Sequence, residues 1–127
     1  MKKLRNIFLI ITLIFILASC KKKEVAIVNM CYINPMEILD NKDHLDIIDE
    51  GCYFAKVENW HINCEANKKQ KFYITIYDGY YVEGYAFTQT YSLDGVEFKK
   101  MEHKDYVEVT PIPTNNYIIF DIREIEE

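Results

Sequence analysis

Serine is almost missing from this 127-residue chain, which carries only Ser19 and Ser92. Ser92 stands beside an Asp-Gly pair and lacks the glycines that hold a catalytic serine on a strand-to-helix elbow, so serine-nucleophile chemistry is excluded. With four glycines and three prolines in all, no stretch reads as a linker, and a single small domain is expected. Positive charge is short as well. Residues 24–127 carry nine Lys and Arg against twenty Asp and Glu, a formal charge of −11. Nucleic-acid binding needs a positive patch to displace phosphate counterions, so it is not expected here. Finally, the apolar run Ile7 to Leu17 is only eleven residues long, short of the ~20 needed to span a bilayer.

That run is nonetheless the clearest signal in the chain. Lys2, Lys3 and Arg5 precede it and the small pair Ala18, Ser19 follows, the order of a basic region, an apolar region and a cut site in an export signal. Leu17-Ala18-Ser19-Cys20 resembles the lipobox of bacterial lipoproteins. The resemblance implies that residues 1–19 are a signal peptide cleaved before Cys20. It also implies that the Cys20 sulfur takes a diacylglycerol group and that the new amino group is acylated, typically with palmitate. Two or more chains give stable anchoring where one gives only marginal binding. Residues 20–23 are then the lipidated cysteine and a basic tether, and residues 24–127 the body, held to a membrane of the bacterial cell envelope on its periplasmic or surface face. Each tether lysine contributes about 1 kcal/mol near an anionic surface, and four extended residues reach only about 14 Å.

With Cys20 as anchor, Cys31, Cys52 and Cys64 remain. In an oxidising compartment one disulfide and one leftover thiol are expected. Cys52 and Cys64 lie equally far from Glu58 in CYFAKVENWHINC and would face each other across a hairpin turning near Glu58 and Asn59. Such a bridge stabilises by roughly 3 kcal/mol in the chain-entropy view. Pairings through Cys31, or three reduced thiols, stay open.

The hydrophobic pattern predicts a mainly β fold, a small antiparallel β-sandwich or barrel with one short helix near residues 35–50. Glu24 to Ile33 is apolar at both alternating sets of positions, as in a strand buried on two faces. Asn34-Pro35-Met36-Glu37 reads as a helix start, with Ile38, Leu39, Leu45 and Ile48 as its inner face and Gly51 as its stop. A two-strand alternative is also open there. Lys71 to Tyr77 alternates cleanly and runs into Asp78-Gly79, a type I′ hairpin signal. Tyr80 to Tyr91 would return, bulged at Gly84. A second pair, Asp94-Gly95, would turn it into Val96 to Met101. Tyr106 to Thr110 and Tyr117 to Ile125 finish the chain, with Pro111 and Pro113 confined to the loop between them.

Residues 82–125 carry two local resemblances. VEGYAFTQTYSLDGVEFKKM is similar to the hairpin of discoidin-type and fibronectin type III domains, and PIPTNNYIIFDIRE resembles the closing strand of discoidin domains. Both imply a β-sandwich that binds glycans, lipids or proteins through its loops. INCEANKKQKFYITI is similar to the cysteine-then-strand opening of bacterial inhibitors of lysozyme, although that family's later Ser-Gly loop and basic residue have no counterpart here.

Catalytic chemistry finds little purchase. His44, His61 and His103 belong to no cysteine-nucleophile motif. Asp40, Asp43, His44 and Asp46 form the densest cluster of potential cation ligands, but Lys42 breaks the EF-hand order, so no metal or other cofactor is expected. A metal-binding or thiol enzyme is the outlying alternative. Tyrosine is the abundant functional residue, and its flat apolar face with a polar tip suits sugar stacking or protein contact. Tyr77, Tyr80, Tyr81 and Tyr91, on the two Asp-Gly turns, are the expected contact residues. The expected role is non-catalytic binding or assembly, with an envelope protein or glycan as partner; inhibition of a basic enzyme such as lysozyme is the alternative.

Overall fold

The computed structural model describes residues 23–33, 45–49 and 52–126. Among the described residues nine strands carry the fold: β1 Val25–Ile33, β2 Leu45–Ile47, β3 Ala55–Lys56, β4 His61–Glu65, β5 Gln70–Tyr73, β6 Thr75–Ile76, β7 Tyr80–Thr88, β8 Tyr106–Val109 and β9 Asn115–Glu124. The protein is mainly β and sandwich-like, as the alternating pattern predicts. β1 sits near the middle of the main sheet, with β9 and then β7 on one side. On its other side β4 pairs with its first half and β2 with its second. Pairing is antiparallel everywhere except between β1 and β9, which run parallel from Ile27–Asn115 to Ile33–Asp121. A parallel pair needs a crossover, and here the rest of the domain supplies it.

The main core lies between this sheet and two short ribbons, β3–β6 and β5–β8. Val28 and Met30 from β1 and Ile118, Phe120 and Ile122 from β9 meet Phe54, Phe72, Ile74 and Val107. The opposite face of the sheet is covered too. There Cys31, Ile33, Ala86 and Ile119 pack under Leu93, Val96 and Phe98. Burial on both faces is why β1 and β9 read as continuous apolar runs rather than as alternations. The bulge in β7 settles its phase. Val82 pairs with Ile122 and Gly84 with Asp121, so one extra residue flips the alternation, and Tyr80 and Val82 before it share the main core with Tyr85 and Phe87 after it. Gly84 is required because a Cβ there would stand 2.9 Å from the Lys99 carbonyl oxygen.

Several expected elements form differently. No helix occurs among the described residues, and Leu45–Ile47, at the end of the expected 35–50 helix, is a strand paired to β1. Residues 34–44, 50 and 51 of that span lie outside the described residues. Leu45 and Ile48 are buried as expected, but by sheet pairing. Lys71 to Tyr77 splits at Ile74: β5 pairs with β8 and β6 with β3. Val96 to Met101 makes no strand and pairs with β7 only through a single bridge between Lys99 and Tyr85, so the Asp94-Gly95 turn closes no hairpin ladder. The chain there is spent on covering the second face of the sheet.

Candidate functional site

The Asp78-Gly79 turn forms one wall of a concavity. The Tyr80 amide donates to the Tyr77 carbonyl at 3.2 Å and the Ile125 amide to the Gly79 carbonyl at 2.8 Å. Gly79 has φ +92°, whereas Asp78 is not among the residues with positive φ. The turn is therefore of type II character rather than the expected type I′, and it sends β6 and β7 into different sheets instead of zipping them together. The opposite wall is Met101 to Asp105. It is held by the Ile74 amide donating to the Asp105 carbonyl at 2.8 Å and, further back, by the two 2.8 Å bonds between Tyr85 and Lys99. Between these walls lies an open cleft of about 720 Å³ that includes Tyr77, Tyr80, Tyr81, His103 and the charged Asp78, Glu102, Lys104 and Asp105.

Three of the four tyrosines expected at a contact surface therefore come together. Tyr77 and Tyr81 are 38% and 40% exposed. Tyr80 is half-buried, its ring 5.8 Å from Phe54 and 6.1 Å from Tyr53, and loss of hydration raises its phenol pKa, with the nearby Glu124 charge adding to the effect. Tyr80 thus braces the floor while Tyr77 and Tyr81 offer their faces. Tyr91 lies elsewhere. Its hydroxyl donates to the Leu45 carbonyl at 2.5 Å and its ring meets Tyr117, so it pins β2 to the second face of the sheet. Trp60, the sole tryptophan, packs against His61, whose Nδ1 lies 2.7 Å from Asn29 Oδ1.

An aromatic group whose assembly was not expected from the sequence borders the cleft. His103 stacks on Tyr106 at 4.2 Å with planes 12° apart. Tyr106 in turn meets Tyr73 at 5.4 Å, directly across the β5–β8 ribbon, and carries Lys71 Nζ 4.9 Å above its ring. The alternation of KFYITIY marks Tyr73 as outward-facing, but only the pairing with β8 brings Tyr106 and His103 to it.

The cysteines do not behave as the spacing suggested. Cys31, Cys52 and Cys64 are free thiols, and the expected Cys52–Cys64 bridge is absent. Its geometric ground is absent too, because β3 and β4 diverge after the turn near Glu58 to pair with β6 and β1 respectively. Cys64 stands opposite Ala26 at the start of β1, whereas the Cys52 amide donates to the carbonyl of Asp49, just beyond β2, which pairs with the end of β1. Cys31 is buried, and burial pushes its thiol up to about 12; it is protonated at neutral pH and a poor nucleophile. Of the cation-ligand cluster, Asp46 lies on β2, while Asp40, Asp43 and His44 lie outside the described residues, as does Cys20.

A heavily bonded buried side chain was also unexpected. Asn116, fully buried, donates through Nδ2 to the carbonyls of Ile27, Ile112 and Thr114, and its Oδ1 accepts from the Ile112 amide. Asn29 Nδ2 donates to the Asn116 carbonyl at 3.1 Å. The available clue was phase: Asn116 occupies the inward set with Ile118, Phe120 and Ile122, where a polar residue must be fully bonded. Compared with family models, curated proteins and solved structures, the chain matches none.

Proposed function

We propose that this protein is a lipoprotein of the bacterial cell envelope, membrane-anchored through Cys20, whose body binds a partner through the Tyr77–Tyr81 cleft without catalysing a reaction. The anchor rests on the ordered signal from Lys2 to Cys20. The binding role rests on one observation: two exposed tyrosine rings, Tyr77 and Tyr81, stand in an open cleft with His103 and a mixed set of charges. Rings held on a turn contribute contact area at little entropic cost. An envelope protein or a glycan presents matching surfaces. The test is crosslinking in cells with a photoreactive residue at Tyr81 and, as control, at Asp94 on the far turn. Capture of one defined species from position 81 alone is expected; no capture there removes the cleft from consideration.

A second reading, inhibition of a basic enzyme such as lysozyme, is favoured by charge. Asp78, Glu102 and Asp105 outnumber Lys104 in the cleft lining, and the body as a whole is strongly acidic, so a cationic partner would be steered to it. Lysozyme turnover in the presence of micromolar protein decides this reading. An unchanged rate sinks it while leaving the cleft free to bind another partner.

A further inference from the structure

We propose that the end of the domain built from the start of β1, the turn at residues 66–69 and the loop at residues 110–114 is a lipid-contact face that seats on the anionic bilayer holding Cys20. This rests on the lipoprotein reading above and adds to it which surface meets the membrane and which points away.

Backbone hydrogen bonds stitch these three segments into one surface. The Ala66 amide donates to the Glu24 carbonyl at 2.8 Å, the Asn67 amide to Pro111 at 2.7 Å and the Ile27 amide to Thr114 at 3.0 Å. The tether enters here, since β1 begins at Val25 and only about 14 Å of extended chain separates Glu24 from Cys20. With so short a leash, this end lies within reach of the headgroups.

Its surface chemistry fits that position. Val25 and Ile112, branched aliphatic residues with no polar atom in the side chain, are 63% and 40% exposed. Lys68 and Lys69 project from the turn beside them with side chains 67% and 69% exposed, and Lys23 is exposed at the tether. The nearby carboxylates are engaged locally: Glu24 accepts from Asn67, Glu65 lies 3.9 Å from Lys68 and Glu108 lies 3.2 Å from Lys69. Exposed pairs of this kind are weak, so either lysine exchanges its carboxylate for a lipid phosphate at small cost.

The opposite end has the opposite character. Tyr80 of β7 pairs with Glu124 at the far end of β9, and the cleft there carries Asp78, Glu102 and Asp105. β9 spans ten residues, so the two ends are about 30 Å apart. An anionic surface attracts the tether end and repels the cleft end, which leaves the cleft facing outward towards its partner.

The experiment uses the full chain purified from membranes and reconstituted in vesicles of phosphatidylcholine with about one part in four phosphatidylglycerol. A photoreactive residue replaces Ile112 in one sample and Tyr81 in another, and mass spectrometry reads both the Cys20 peptide and the lipid adducts. Lipidated Cys20 with adducts at 112 and none at 81 is the expected result. Reversing the lysines in a Lys68→Glu/Lys69→Glu variant should lower the 112 adduct about fivefold or more. Lipidated Cys20 without adducts at 112, or with equal adducts at 81, overturns the face and spares the anchor. An unmodified Cys20 overturns the anchor and the face together.

Discussion

The two ends of the sheet are built on different principles. At the tether end a buried side chain is closed onto backbone: Asn116 alone ties β9 to β1 and to the 110–114 loop. At the cleft end the turn is held by few bonds, and its tyrosines lie exposed beside acidic groups. Buried polar groups that are fully satisfied fix one geometry and are costly to disturb, whereas exposed rings on a turn contribute little to folding and remain available for contact. Closed polar bonding thus marks the end where β1 begins, and exposed tyrosines the end where β9 finishes.

The largest expected effect tests the first half of that contrast. Asn116→Ala removes a donor shared by three carbonyls and an acceptor for the Ile112 amide; the Thr114 carbonyl keeps the Ile27 amide, while the Ile27 and Ile112 groups lose this side-chain partner and a buried space opens under β9. A loss of about 3 kcal/mol is expected in urea unfolding, given ~1–3 kcal/mol for a polar group that loses its partner. A loss below about 1 kcal/mol would show that water replaces the side chain and that the tether end is not the rigid one.

Next comes the buried thiol on the second face of the sheet. Cys31 is raised from the ordinary 9.0 to about 12 by burial, so its protonated form is favoured by folding. Below about pH 9 the thiol is neutral in both states and its contribution is complete. Between pH 9 and 12 the unfolded chain releases the proton and the folded chain does not, so stability falls by up to ~1.4 kcal/mol per pH unit. Tyr32, also raised chiefly by burial, acts with the same sign. Urea midpoints measured from pH 8 to pH 11 should fall for the native protein and fall less steeply for Cys31→Ala. Parallel slopes would mean that the thiol is solvated.

These contrasts were only partly visible in the sequence. The mainly β character, the doubly buried β1, the bulge at Gly84 and the proline-bearing loop before β9 follow from local pattern, because each depends on residues adjacent in the chain. The pairing of strands does not. KFYITIY reads as one strand, yet its halves serve two ribbons, and the choice depends on partners 19 to 37 residues away in sequence, from Lys56 to Glu108. The same holds for the site. Tyr77, Tyr80 and Tyr81 were legible from the turn that carries them, while His103 and Tyr106 enter only through the long-range packing of the 101–105 wall. Tyr91 looked equivalent to Tyr81 in its setting, but its hydroxyl had a backbone carbonyl to satisfy on β2.

Gly84→Ala probes the link between the sheet and the cleft wall. A Cβ would press on the Lys99 carbonyl at 2.9 Å, and because that atom is backbone the segment leading to Met101–Asp105 must shift. A cost of about 2 kcal/mol is expected, in the range for overpacking. Amide exchange should speed up at Lys99 and at Ile74, which donates to the Asp105 carbonyl, while the Ile27 and Asn67 amides of the tether end stay protected. Equal acceleration at both ends would mean that the two regions unfold as one unit.

The smallest effect on stability carries the most functional information. Tyr77→Ala with Tyr81→Ala removes two rings that are already well exposed, so the urea midpoint should change by less than about 0.5 kcal/mol. The same double variant should abolish capture of the partner by a photoreactive residue placed at His103, across the cleft. A large loss of stability would mean that these rings belong to the core and that the cleft is a by-product of packing. Unchanged stability with unchanged capture would move recognition to the Tyr73–Tyr106 ribbon, where exposed Tyr73 and half-buried Tyr106 adjoin the cleft through His103.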